Sequence, residues 1–145
     1  MKKYGCLIGG LLLSGVCFAE PAVVAYVKNV SGEATITTGG KTASARVGDA
    51  VYQGSHLKTA QKSSLGITFR DDTVMSFGSD TDLTVDEYLY NPSQGQLKLG
   101  SKLSKGTLNY VSGVIAKLKP EAVTIKTPTG TIGVRGTQFV VKVEE

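Results

Sequence analysis

Leu65–Val85 reads LGITFRDDTVMSFGSDTDLTV. Ile67 and Phe69 are followed eight residues later by Met75 and Phe77, and eight later again by Leu83 and Val85. Each couple is an i, i+2 pair, so on an extended chain both members point to one side. Between the couples stand Arg70-Asp71-Asp72 and Gly78-Ser79-Asp80. These are turn residues: short polar side chains that bond their own backbone, and a glycine without Cβ. The stretch predicts short strands joined by polar corners.

The same couple returns downstream at Leu97/Leu99, Leu108/Tyr110, Val123/Ile125, Ile132/Val134 and Phe139/Val141. Upstream, Val23 to Val30 reads as a strand, Ser31-Gly32 as a turn, and Glu33 to Thr38 as a strand with Ala34 and Ile36 on one face. Gly39-Gly40 is a two-residue hairpin turn into Lys41 to Ala45. Val47-Gly48-Asp49 and Gln53-Gly54-Ser55 bracket a short strand, Ala50 to Tyr52. Val111 to Lys119 is the one helical exception, resting on Val114, Ile115 and Leu118, although Gly113 and Pro120 suit a strand and loop equally well. The class is therefore all-β. Many short strands with two inward residues and a polar corner suggest a β-solenoid or β-roll; a β-sandwich has the same signature, and the pattern does not separate the two.

Thr127 to Val143, TPTGTIGVRGTQFVVKV, reads as strand, sharp bend, strand. Pro128 bars a helix and extends Thr127. Gly133 and Gly136 flank Arg135 and free the backbone for positive φ or a bulge. Arg135 is expected to be structural, its guanidinium tying carbonyls at the bend, with a ligand contact as the alternative.

Residues 1–19 are set apart from the domain at 20–145. Lys2 and Lys3 precede an apolar run from Cys6 to Val16, and Cys17-Phe18-Ala19 places small residues at −3 and −1 of a cut before Glu20. That order is a secretory signal peptide, too short for a span of roughly 20 apolar residues. Ser14-Gly15-Val16-Cys17 approaches a lipobox, but Val16 stands where a small residue is expected, so cleavage before Glu20 is favoured over lipidation at Cys17. The expectation is a periplasmic or secreted protein with no transmembrane segment after signal removal. Both cysteines, Cys6 and Cys17, lie at or before the cut, so the exported chain has no disulfide, thiol nucleophile or thiolate site. Losing Lys2 and Lys3 leaves 14 basic against 12 acidic side chains, or +2, which gives no case for nucleic acid.

Enzyme chemistry has little to stand on. His56 is the single histidine, and no G-x-S-x-G elbow or paired-histidine zinc motif exists. Asp80, Asp82, Asp86 and Glu87 are interrupted by Leu83 and Val85 and read as the polar face of a strand rather than a calcium loop. No catalytic residue, metal or cofactor is expected. Lys98, Lys102, Lys105, Lys117, Lys119 and Lys126 share their stretch with one acid, Glu121. They read either as a solvated face or, for the first five above all, as a face for anionic polymer.

Taken together, these residues resemble the FecR periplasmic domain. Thr127-Pro128, then Gly133-Val134-Arg135-Gly136-Thr137, then Phe139 and Val141 are similar to that family's closing motif. Val47-Gly48-Asp49, Gly54-Ser55, Leu57-Lys58-Thr59 and Phe69-Arg70-Asp71-Asp72-Thr73 fit its repeated pattern upstream. The resemblance spans about Val27 to Val143. It implies a β-solenoid-like domain outside the inner membrane. Members relay the ligand state of an outer-membrane receptor to an extracytoplasmic-function sigma factor. They usually add a cytoplasmic anti-sigma segment, a transmembrane helix and a receptor-facing domain. This chain matches the periplasmic module alone, so direct sigma-factor contact is not expected. The reading is a stand-alone, exported, non-enzymatic binding module for envelope sensing, acting on a protein or envelope polymer. Its alternative is a scaffold module that assembles with itself. Open strand edges, near Val23 and Phe139, would be the means.

Overall fold

The computed structural model describes residues 22–134 and 136–144. The proposed signal peptide, its cleavage site, Cys17 and Arg135 lie outside the described residues. In chain order the strands are β1 (Val23–Ser31), β2 (Ala34–Thr38), β3 (Lys41–Ser44), β4 (Ala50–Tyr52), β5 (His56–Thr59) and β6 (Ser64–Phe69). They continue with β7 (Val74–Phe77), β8 (Asp82–Asn91), β9 (Gln96–Val111), β10 (Val123–Thr127), β11 (Gly130–Gly133) and β12 (Gln138–Val143). One short helix, α1 (Val114–Leu118), and 3-10 turns at Pro92–Gln94 and Pro120–Ala122 are the other regular elements described.

The twelve strands form one curled, half-barrel sheet with two wings. The first wing runs β12–β9–β7–β6–β1–β4. The second runs β3–β2–β5–β8–β9–β10–β11. Strand β9 belongs to both. Its front half pairs with β8 and β10, its rear half with β7 and β12. The change of wing is visible in burial. Leu99, Ser101 and Leu103 face inward at odd positions, whereas Leu108 and Tyr110 do so at even ones. The parity shifts around Gly106, at φ +96°, because a kink there turns the strand by one residue.

The all-β class and the inward couples are as expected: Ile67/Phe69, Met75/Phe77, Leu83/Val85, Leu108/Tyr110 and Val123/Ile125 are all buried. They join one continuous core. Phe69 of β6 stacks on Tyr88 of β8 across the wings, with ring centroids 5.2 Å apart. Gly39 and Gly40 both take positive φ, +59° and +82°, the geometry a two-residue hairpin between β2 and β3 requires.

Three details sharpen the expectation. Stacked solenoid coils would pair successive rungs in parallel, whereas the described ladders are antiparallel except for β9–β10 and join both successive strands, as in β6–β7, and distant ones, as in β1–β6. Leu118, expected on the inner face of the helix, is 62% exposed, and Ile115 and Ala116 fill that face instead. Gly133 ends β11 at an ordinary φ, and only Gly136 of that pair takes positive φ, +89°.

Candidate functional site

Two motif residues of the carboxyl end, Gly136 and Thr137, are held by Ser112 beside a polar knot in the core. The turn after β6 buries Asp71 to 1% exposure, while Asp72 beside it stays exposed at φ +70°. The Asp71 carboxylate accepts from the Thr73 hydroxyl at 2.7 Å, the Tyr88 hydroxyl at 2.9 Å and the Ile115 amide at 2.9 Å. Its own N–H donates to Tyr88 Oη at 3.0 Å, and its carbonyl accepts from the Val114 N–H at 2.7 Å. One aspartate thus caps the first turn of α1 from 44 residues away, supplying an acceptor to otherwise orphaned amides. Gly113 is needed there, since a Cβ would overlap Thr73 N and the Asp71 carbonyl.

Ser112, just before α1, connects the knot to the bend. Its hydroxyl donates to the Gly136 carbonyl at 2.9 Å and its N–H to the Thr137 carbonyl at 2.8 Å. Phe139 is half-buried and stacks on Tyr110 at 4.9 Å. In the β10–β11 turn, the Thr127 hydroxyl donates to the Gly130 carbonyl at 3.0 Å, with Pro128 exposed beside it.

Burial pushes the Tyr88 phenol far above its ordinary range, helped by the adjacent Asp71 charge and its hydrogen bond. Burial raises Tyr110 as well, opposed by the neighbouring Ser112 and Thr73 side chains, although the Tyr110 hydroxyl makes no hydrogen bond to a described residue. Below about pH 10 the phenols stay protonated folded and unfolded alike. Above it the unfolded chain releases protons that the fold retains, so stability falls as pH rises. Tyr88→Phe is expected to cost about 1–2 kcal/mol at neutral pH, because Asp71 loses a donor. It should then lose less stability than the parent as pH rises past about 10. Urea midpoints across that range check this; parallel alkaline limbs for both proteins would remove Tyr88 as the cause.

His56 is not alone, as the linear sequence suggested. Its Nε2 pairs with Asp82, diagonally across the ladder on β8. No described hydroxyl hydrogen-bonds to His56. Glu87 pairs with Lys98 at 2.9 Å. Two acids of β8, Asp82 and Glu87, thus have side-chain partners on the neighbouring strands β5 and β9.

The lysines divide. Lys98 and Lys102 lie on the outer face of β9, where Lys102 is directly opposite Lys126 of β10. Lys98, Lys119 and Lys126 rim one surface cleft of about 630 Å³ with Glu87 and Glu121. Lys105 sits opposite Asp82 and lines a different hollow with Asp80 and Glu144. Lys117 is exposed on α1.

Four strands end the wings with one side unpaired among the described residues: β3, β4, β11 and β12. Between β3 and β4 lies a cleft of about 350 Å³, lined by Ile36, Thr38, Ala43, Asp49 and Tyr52 among others. The expected opening near Phe139 is found at β12. The one near Val23 is displaced, because β1 is flanked by β4 and β6 and the open strand of that wing is β4.

A family model described as FecR protein matches residues 55–145. No curated protein and no solved structure matches the chain. The match begins at β5, yet β1 pairs with β6 over six residue pairs and its Val24, Ala25 and Val27 are core. Residues 23–54 are thus built into the same fold.

Proposed function

The chain belongs to the FecR family, and from that premise we propose that it is an exported, non-enzymatic binding module of envelope signal transduction that engages a partner protein by strand addition. The observation that carries this reading is the uncovered β3–β4 opening. Ala45 N–H donates to the Ala34 carbonyl at 2.9 Å, so in the antiparallel ladder Ala43 and Lys41 face β2 while Thr42 and Ser44 turn their N–H and C=O groups outward. A partner strand would bond to those groups and place side chains in the adjoining cleft. The opening lies in the part of the chain that the family model does not match, which suits a partner particular to this protein.

Photo-crosslinking in cells tests it. A crosslinker at Lys41 should give one discrete protein adduct, absent when placed at exposed Leu89 on β8. Ser44→Pro removes an outward N–H without touching the β2 ladder. It should abolish the adduct with thermal unfolding unchanged. An unaltered adduct would overturn strand addition. Fractionation and intact mass of the exported form decide the periplasmic start near Glu20 independently.

A second reading, contact with an anionic envelope polymer, is favoured by Lys102 and Lys126. Like charges directly opposed in a ladder cost a few tenths to about 1 kcal/mol, and a bound anion would offset that. Lys102→Glu should stabilise the fold by a similar amount and weaken co-sedimentation with anionic polymer at least several-fold. Stabilisation with unchanged polymer binding would leave the pair a solvated surface only.

A further inference from the structure

Strand β12 is unlike the other three open edges. β3 has four residues, all exposed, and starts with Lys41; β4 has three; β11 has four and a glycine at each end. β12 has six residues, QFVVKV, rich in β-formers, with Lys142 its one charge. Short, charged or glycine-bearing edges resist pairing with an identical edge, whereas a long apolar edge invites it.

The direction of its backbone groups is fixed by the neighbours. Ser112 N–H donates to the Thr137 carbonyl at 2.8 Å, and on the far side of β9 Gly78 N–H donates to the Thr107 carbonyl at 3.1 Å. Bonding alternates along an antiparallel pair. Residues 139, 141 and 143 therefore serve β9, while Gln138, Val140 and Lys142 present their N–H and C=O groups to the open side. Val140 is 63% exposed between them. Phe139 and Val143, on the core side, are only half-covered.

We propose that two copies of this chain pair through β12, antiparallel about a two-fold axis at Val140. Bonds form between outward residues, so the register that uses all three sets Val140 against Val140 of the second copy and Gln138 against its Lys142. About six backbone hydrogen bonds result. No lysine faces a lysine in that register. Phe139 comes opposite Val141 of the second copy, which completes the cover of the half-buried row. The interface is isologous and closes after two chains. It lies at the opposite end of the first wing from β4, so dimerisation leaves the β3–β4 opening free and does not depend on the partner reading above.

Sedimentation of purified protein at up to about 100 μM tests it. The parent is expected to be a dimer. Val140→Lys and Val140→Glu should each be monomers, because each sets like charges against itself. Mixed one to one, they should recover the dimer, since the residue faces its own counterpart. A monomeric parent, variants that still dimerise, or a mixture that stays monomeric would overturn the proposal. Residue-resolved amide exchange requires no variant. On dilution, Gln138, Val140 and Lys142 should lose protection while Phe139 and Val141 keep theirs; uniform or absent change along the strand would also overturn it.

Discussion

Asp71→Ala should remove about 3–5 kcal/mol of stability, a large share of the 5–15 kcal/mol typical of a domain. Three donors converge on this carboxylate, from Thr73, Tyr88 and Ile115, each within 2.9 Å. Truncation leaves them without an acceptor in a place where Asp71 itself is 1% exposed. Each unsatisfied buried group costs about 1–3 kcal/mol, and partial relaxation keeps the sum below the simple total. The helix start at Val114–Leu118 loses its cap in the same stroke. Asp72→Asn is the control: the neighbouring side chain is exposed, and asparagine tolerates its positive φ of +70°. Urea unfolding of the two variants should differ by several kcal/mol. Similar midpoints would mean that the knot does not carry the stability assigned to it.

Gly106→Val is expected to be the most damaging single change in the sheet, at about 4 kcal/mol or outright failure to fold, combining backbone strain with overpacking. The residue sits at φ +96°, where a β-branched side chain is strongly disfavoured. A Cβ there would also overlap Oγ1 and Cα of Thr81. Thr81 cannot give way cheaply, because its hydroxyl accepts from the Thr107 N–H at 3.0 Å and donates to the Gly78 carbonyl at 3.0 Å. Gly95→Ala separates the two causes. Gly95 has positive φ, +69°, but open space around it, so strain acts alone and about 1–2 kcal/mol should be lost. Equal melting temperatures for the two variants would show that the close approach at Gly106 is unimportant.

The strands were legible because burial of one face leaves its mark every second residue. The couples from Ile67 to Val85 needed no tertiary information, and Gly39-Gly40 marked a hairpin for a purely local reason. What stayed hidden depends on distance along the chain. Asp71 and Asp72 look alike in sequence, and nothing local tells which is buried under Tyr88 and α1. The Asp82 partner of His56 is 26 residues away. Strand β9 read as two couples, Leu97/Leu99 and Leu108/Tyr110; their opposite parity was the available sign of a kink between wings. The antiparallel ladders rather than coils follow from pairing choices that an i, i+2 pattern does not encode. The lysines read as one basic stretch because sequence order merges two faces that the sheet keeps apart.

A single sixteen-residue ribbon, β9, is common to both wings. The wings hold different halves of that ribbon yet bury one common core, so parting them would expose the apolar faces of both.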